Sequence, residues 1–133
     1  MRKALVVILL GLLTWAVPIL AADIPAGVKA DLDGAGIEVY PGAVYCIGSA
    51  DMGVRFATKD SPEAVREWFR KKYPGWSVRE EFGMWTLYDG PPGKDFGDIV
   101  SFSNVNVQTN KQLPGWHSLP EDMTTEILIA LPQ

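Results

Sequence analysis

Lys59-Asp60-Ser61-Pro62-Glu63, continued by Ala64-Val65-Arg66-Glu67-Trp68-Phe69-Arg70-Lys71-Lys72-Tyr73 and closed by Pro74-Gly75, is the stretch on which the fold turns. Ser61 can accept from free amides of a first helical turn. Pro62 suits the first helical position, where no amide partner is needed, and Glu63 faces the positive end of the helix dipole. With Asp60 as the cap instead, Glu63 completes a capping box. Val65, Trp68, Phe69 and Tyr73 then recur at helical spacing, with Arg66, Glu67, Arg70, Lys71 and Lys72 on the other faces. One stripe is buried and the rest is wet. Basic residues fill the last turn and Pro74-Gly75 stops the helix.

Outward from this helix the pattern changes to short strand-like runs. Upstream these are Ile37 to Tyr40 and Val44 to Ile47 around the turn Pro41-Gly42, then Gly53 to Thr58. Downstream, Trp76 to Glu80 and Met84 to Tyr88 flank Phe82-Gly83, which reads as a hairpin connection. Ile99 to Val107 and Thr125 to Leu131 follow, and the alternation of the first slips between Phe102 and Val105, as at a bulge or a change of buried face. The expectation is an α+β fold of two layers, with a single helix packed on one face of a mostly antiparallel sheet of about six strands. Trp68 and Phe69 are the expected plugs between the layers. The Tyr-Pro-Gly-Ala strand end, the capped helix start and the Tyr-Pro-Gly-Trp stop together resemble small exported bacterial domains, which bears on fold and compartment only.

The beginning of the chain supports the same compartment. Met1-Arg2-Lys3 precede an uncharged, mostly apolar run from Ala4 to Leu20 and the small pair Ala21-Ala22. That is the three-part order of a secretory signal, with cleavage expected after Ala22. The competing reading is an uncleaved membrane anchor, since the run is at the lower edge of what spans a bilayer. No cysteine stands directly after the cleavage point to carry a lipid, since Cys46 lies far downstream. The chain therefore divides into a signal peptide at 1–22, a flexible arm at 23–36 and a small α+β domain at 37–133, with the periplasm or the medium as destination.

Cleavage removes two of the 12 basic residues and none of the 16 acids, so the mature chain is more acidic than the −4 of the whole. Such a field repels phosphate backbones and argues against nucleic acid as a partner. It leaves an envelope protein or a small ligand, with a membrane only if the signal stays attached. Cys46 stands alone, so no internal disulfide staples the fold, and its place in Val44-Tyr45-Cys46-Ile47 reads as a small buried hydrophobe.

Candidate chemistry is sparse. His117, the single histidine, is followed by Ser118, Glu121 and Asp122, which supply residue types for hydrolysis but no nucleophile elbow. Asp31-Leu32-Asp33-Gly34-Ala35-Gly36 resembles the start of a calcium loop, yet Ala35 and Gly42 fall where oxygen ligands are required. One cysteine and one histidine do not make a zinc or haem ligand set, so neither metal nor cofactor is expected. Asp89-Gly90-Pro91-Pro92-Gly93-Lys94-Asp95-Phe96-Gly97 is a long irregular connection without a phosphate-loop motif. Lys94 and Phe96 in this loop, with Trp116 and His117, are the expected places of ligand or partner contact. Trp68, Trp76 and Trp85 fall on expected elements and read as core. The functional expectation is a non-catalytic binding or interaction domain of the cell envelope, and the alternative is a small hydrolase using His117.

Overall fold

The structure, a computed structural model, describes residues 24–109 and 122–132. The expected signal peptide and the segment carrying Trp116 and His117 lie outside these residues. In chain order the elements are α1 (Ala26–Gly34), β1 (Val44–Ser49), β2 (Gly53–Thr58), α2 (Pro62–Lys72), β3 (Ser77–Glu81), β4 (Met84–Tyr88), α3 (Phe96–Ile99), β5 (Asn104–Thr109) and β6 (Thr125–Ala130). The strands form one sheet in the order β1-β2-β6-β5-β4-β3, and all five pairings are antiparallel. This is the α+β two-layer architecture expected.

The helix read from the sequence is α2. Ser61 Oγ accepts from the Ala64 amide at 3.2 Å, Pro62 opens the helix, and Arg70, Lys71 and Lys72 fill its last turn. Such a cap contributes about 1 kcal/mol. Val65 and Phe69 are fully buried and Trp68 packs half-buried beside them, so Phe69 is the deeper of the two expected plugs. Below lie Val54 and Phe56 of β2, Val105 and Val107 of β5, and Ile127 and Ile129 of β6, every second residue of each strand.

Three expectations are corrected. The arm at 23–36 is no loose segment: it forms α1, with Val28 and Leu32 one turn apart in the core. Lys29 and Asp33 pair at 2.7 Å on its outer face, which places Asp33 in a helix rather than in a calcium loop. The expected single helix thus has α1 and the short α3 for company. Second, Ile37 to Tyr40 is an irregular connection, not a strand. It is held by Tyr73 at the end of α2, whose hydroxyl donates to Gly36 O at 3.2 Å and accepts from the Glu38 amide at 2.7 Å. Third, the slip between Phe102 and Val105 is not a bulge. Ile99 belongs to α3 and β5 begins only at Asn104. A bulge does occur elsewhere, between Tyr45 and Ile47 of edge strand β1.

Phe82-Gly83 is the two-residue hairpin expected. Glu81 faces Met84 across it, and both turn residues have positive φ, 54° and 75°. That is the backbone of a type I′ turn, whose twist matches that of the flanking strands. At the other hairpin, Gly48 has φ 116° and a Cβ there would stand 2.0 Å from Gly53 O, so glycine is required by both conformation and space.

Candidate functional site

Alternation along the strands puts a second set of side chains on the face of the sheet away from α2. Over β4 this face is covered by the connection 89–103, which includes α3. Tyr88, fully buried, anchors that connection: its hydroxyl donates to Pro91 O at 2.8 Å and accepts from the Lys94 amide at 3.2 Å. Ser77 Oγ donates to Gly90 O at 2.7 Å, and Arg79 Nη1 donates to Lys94 O at 2.8 Å. The Arg79 guanidinium, paired with Glu81, also lies 5.4 Å over the Phe96 ring. Gly90 approaches so closely that a Cβ would meet the Phe102 ring at 3.0 Å. A loop tied at this many points is a fixed wall.

Over β5 and β6 the described residues leave hollows on this face. Two concavities lie there, of about 260 Å³ between Met84, Phe96 and Gln108, and about 270 Å³ toward Asp51, Met52 and Leu131. They share Val100, Asn104, Asn106 and Leu128, so they form one trough running across the strands. Its floor carries a row of amides. Thr86 Oγ1 donates to Asn106 Oδ1 at 2.5 Å, Asn106 Nδ2 donates to Asn104 Oδ1 at 3.3 Å, and Asn104 Nδ2 donates to Phe102 O at 3.1 Å. Each link fixes the orientation of the next and leaves further amide donor and acceptor capacity unused. The side chain of Gln108, next on the same face of β5, makes no hydrogen bond among the described residues. Directly opposite it on β6 stands Glu126, 7% exposed, with Oε1 3.5 Å from Arg55 Nη1 and lacking a hydrogen-bond partner.

The trough walls are apolar. Of seven exposed large hydrophobics among the described residues, Met52, Met84 and Val100 line the trough, and Val44 and Ile47 sit on the same face, opposite Ala57 and Arg55. A sheet face that carries a polar row between apolar walls suits an amphipathic occupant.

Of the expected contact residues, Phe96 stands in the trough wall. Lys94 serves through its main chain, anchoring the loop by both amide and carbonyl, and is not among the residues lining the trough. Trp116 and His117 fall outside the described residues. Trp85 is buried in the core and Trp76 stacks on Tyr73 at 4.4 Å between centroids. Cys46 is half-buried at the β1 bulge. Burial foremost, then the charge of Glu126, pushes its thiol pKa up against the opposing effect of Arg55, which keeps it protonated and a poor nucleophile. Among the described residues no group of three His, Cys, Asp or Glu side chains converges on a metal position, and no helix is long and apolar enough to cross a membrane.

The sequence reading missed Asn104, Asn106, Gln108 and Glu126. The signal was present as the alternation Asn-Val-Asn-Val-Gln at 104–108, which gives one apolar and one amide face. No protein-family model matches the chain, and neither a curated protein nor a solved structure is significantly similar to it.

Proposed function

We propose that this chain is an exported domain that acts by binding, without catalysis of its own, and that the trough over β5 and β6 is where its ligand or partner lies. The observation that carries the reading is the row Asn104-Asn106 with spare amide capacity, set between the apolar walls of Val100, Ile99 and Met84. Water serves the amides but not the walls; an occupant with both characters serves both. The Met1-Arg2-Lys3 start, the apolar run and Ala21-Ala22 support export.

Two measurements test the two halves. Intact mass of the protein from fractionated cells expressing the full chain should give a species starting at or near Asp23 outside the cytoplasm. A full-length species in the membrane fraction overturns cleavage. For the trough, amide chemical shifts followed during a screen of small amphiphiles and short peptides should move first at Val100, Asn104 and Asn106. Shifts confined to α1 and α2 would sink it.

A further inference from the structure

Resting on the trough as the binding site, we propose that its ligand is polypeptide: an uncharged, extended segment of another protein that lies along β5, its backbone bonded by Asn106 and Gln108 and its side chains set against the two walls.

The floor has the period of a peptide. Asn104, Asn106 and Gln108 follow one another on one face of β5 and all line the hollow beside the α3 wall, each about 6.8 Å from the next. An extended chain turns the N–H and C=O of every second residue toward the same edge, with the same repeat. A carboxamide holds its donors and its acceptor in one plane, so it gives and takes a hydrogen bond with a single such residue.

The amides are oriented for this before any ligand arrives. Asn104, 4% exposed, is a positioning residue: its Oδ1 accepts from Asn106 Nδ2 at 3.3 Å, while Thr86 Oγ1 donates to Asn106 Oδ1 from the other side. Asn106 keeps one N–H and one lone pair beyond these bonds. The Gln108 amide is wholly unengaged among the described residues. Both side chains are half-buried, reached from the hollow yet partly shielded from water.

The walls suit what such a segment carries. A chain lying edge-on to the floor points successive side chains to opposite sides, toward Met84, Phe96 and Val100 on the β4 flank and toward Leu128 on the β6 flank. From Asn104 to Gln108 the floor spans about 14 Å, the length of about four extended residues.

Charge sets the remaining condition. Among the described residues no charged side chain lines this hollow; Glu126, opposite Gln108 on β6, is paired with Arg55 and lines neither hollow. A charged group entering here loses water and meets no counter-charge. A bare hydrocarbon satisfies the walls but covers the amides without partners. An uncharged peptide backbone between apolar side chains avoids both penalties.

The experiment is calorimetric titration of the protein, recovered from cells expressing the full chain, with three probes: the blocked peptide acetyl-Val-Ser-Val-Ser-Val-amide, its counterpart with the same side chains on an all-ester backbone, and n-octanol. The ester backbone has no N–H to donate and weaker carbonyl acceptors. The peptide is expected to bind at least about tenfold more tightly than the ester. Gln108→Leu, at a half-exposed position whose side chain bonds to nothing else described, should reduce that ratio to about threefold and leave n-octanol within about twofold. Equal affinity for peptide and ester, or a ratio unchanged in Gln108→Leu, overturns the backbone assignment. Binding of n-octanol without the peptide overturns it too and leaves the trough standing, whereas failure of all three probes overturns the trough reading with it. Sedimentation of the protein alone completes the test: a dimer whose dissociation moves the Asn106 and Gln108 side-chain amide resonances would give this face to a second copy and overturn the proposal.

Discussion

Tyr40 closes the gap between the chain entering β1 and the start of α2. Its hydroxyl donates to Asp60 Oδ2 at 2.5 Å, and its ring meets Trp68 edge-on at 5.4 Å between centroids. Burial, reinforced by the Asp60 hydrogen bond and charge, pushes its pKa up to about 12 from 10.0. The folded state therefore holds the phenol proton through a range in which the unfolded chain releases it. Stability from this group is full below pH 10, declines as the pH rises from 10 toward 12, and is lost above. Urea unfolding at pH 8, 10 and 11.5 should show a falling free energy whose slope is shallower in Tyr40→Phe; equal slopes would dismiss the assignment. Phe82 makes the opposite case, a residue in a conformation it does not favour. Its φ of 54° at the first position of a type I′ turn is one that asparagine adopts readily, and its ring is 88% exposed, so little packing is lost on replacement. Phe82→Asn is expected to raise stability by about 0.5 to 1 kcal/mol, read as a higher urea midpoint at constant slope.

At the scale of elements, α1 and α2 differ in how they are specified. Everything that starts and stops α2 is local: Ser61, Pro62, Glu63, the basic last turn and Pro74-Gly75. It is legible from sequence for that reason. α1 has no side-chain cap, two glycines, and only Val28 and Leu32 to bury; its helix exists because those two side chains find the core, a fact no local pattern contains. Leu32, 1% exposed, carries that docking. Leu32→Ala should cost about 2 to 5 kcal/mol and should speed amide exchange throughout α1, whereas a loss under 1 kcal/mol would mean that α1 is an ornament on the domain. The trough is legible to the same degree as α1. Phe96 falls in a loop that sequence marks as a contact candidate, but Asn104, Asn106 and Gln108 read as the wet face of an ordinary strand. What makes them a floor is the wall tied down by Tyr88, Ser77 and Arg79 through four hydrogen bonds, all made by residues outside β5.

The whole molecule is one sheet assembled in an order that differs from the order of the chain. β1 and β2 pair as neighbours, and β3, β4 and β5 follow one another; β6, the last element, is inserted between β2 and β5. The expectation of a two-layer α+β fold follows from strand count and connection length, while this insertion follows from neither. Without β6 there remain a hairpin and a three-stranded meander with no pairing between them. A chain ending before Thr125 should therefore show no cooperative thermal transition, and a sharp one would disprove the central role of β6. Pairing of 53–58 with 125–130 also closes the longest loop in the sheet, the slow kind of contact. The timing of folding follows from this. A chain made from its N-terminus cannot complete its sheet until 125–130 have emerged, so the hairpin and the meander wait, unjoined, for the strand that belongs between them.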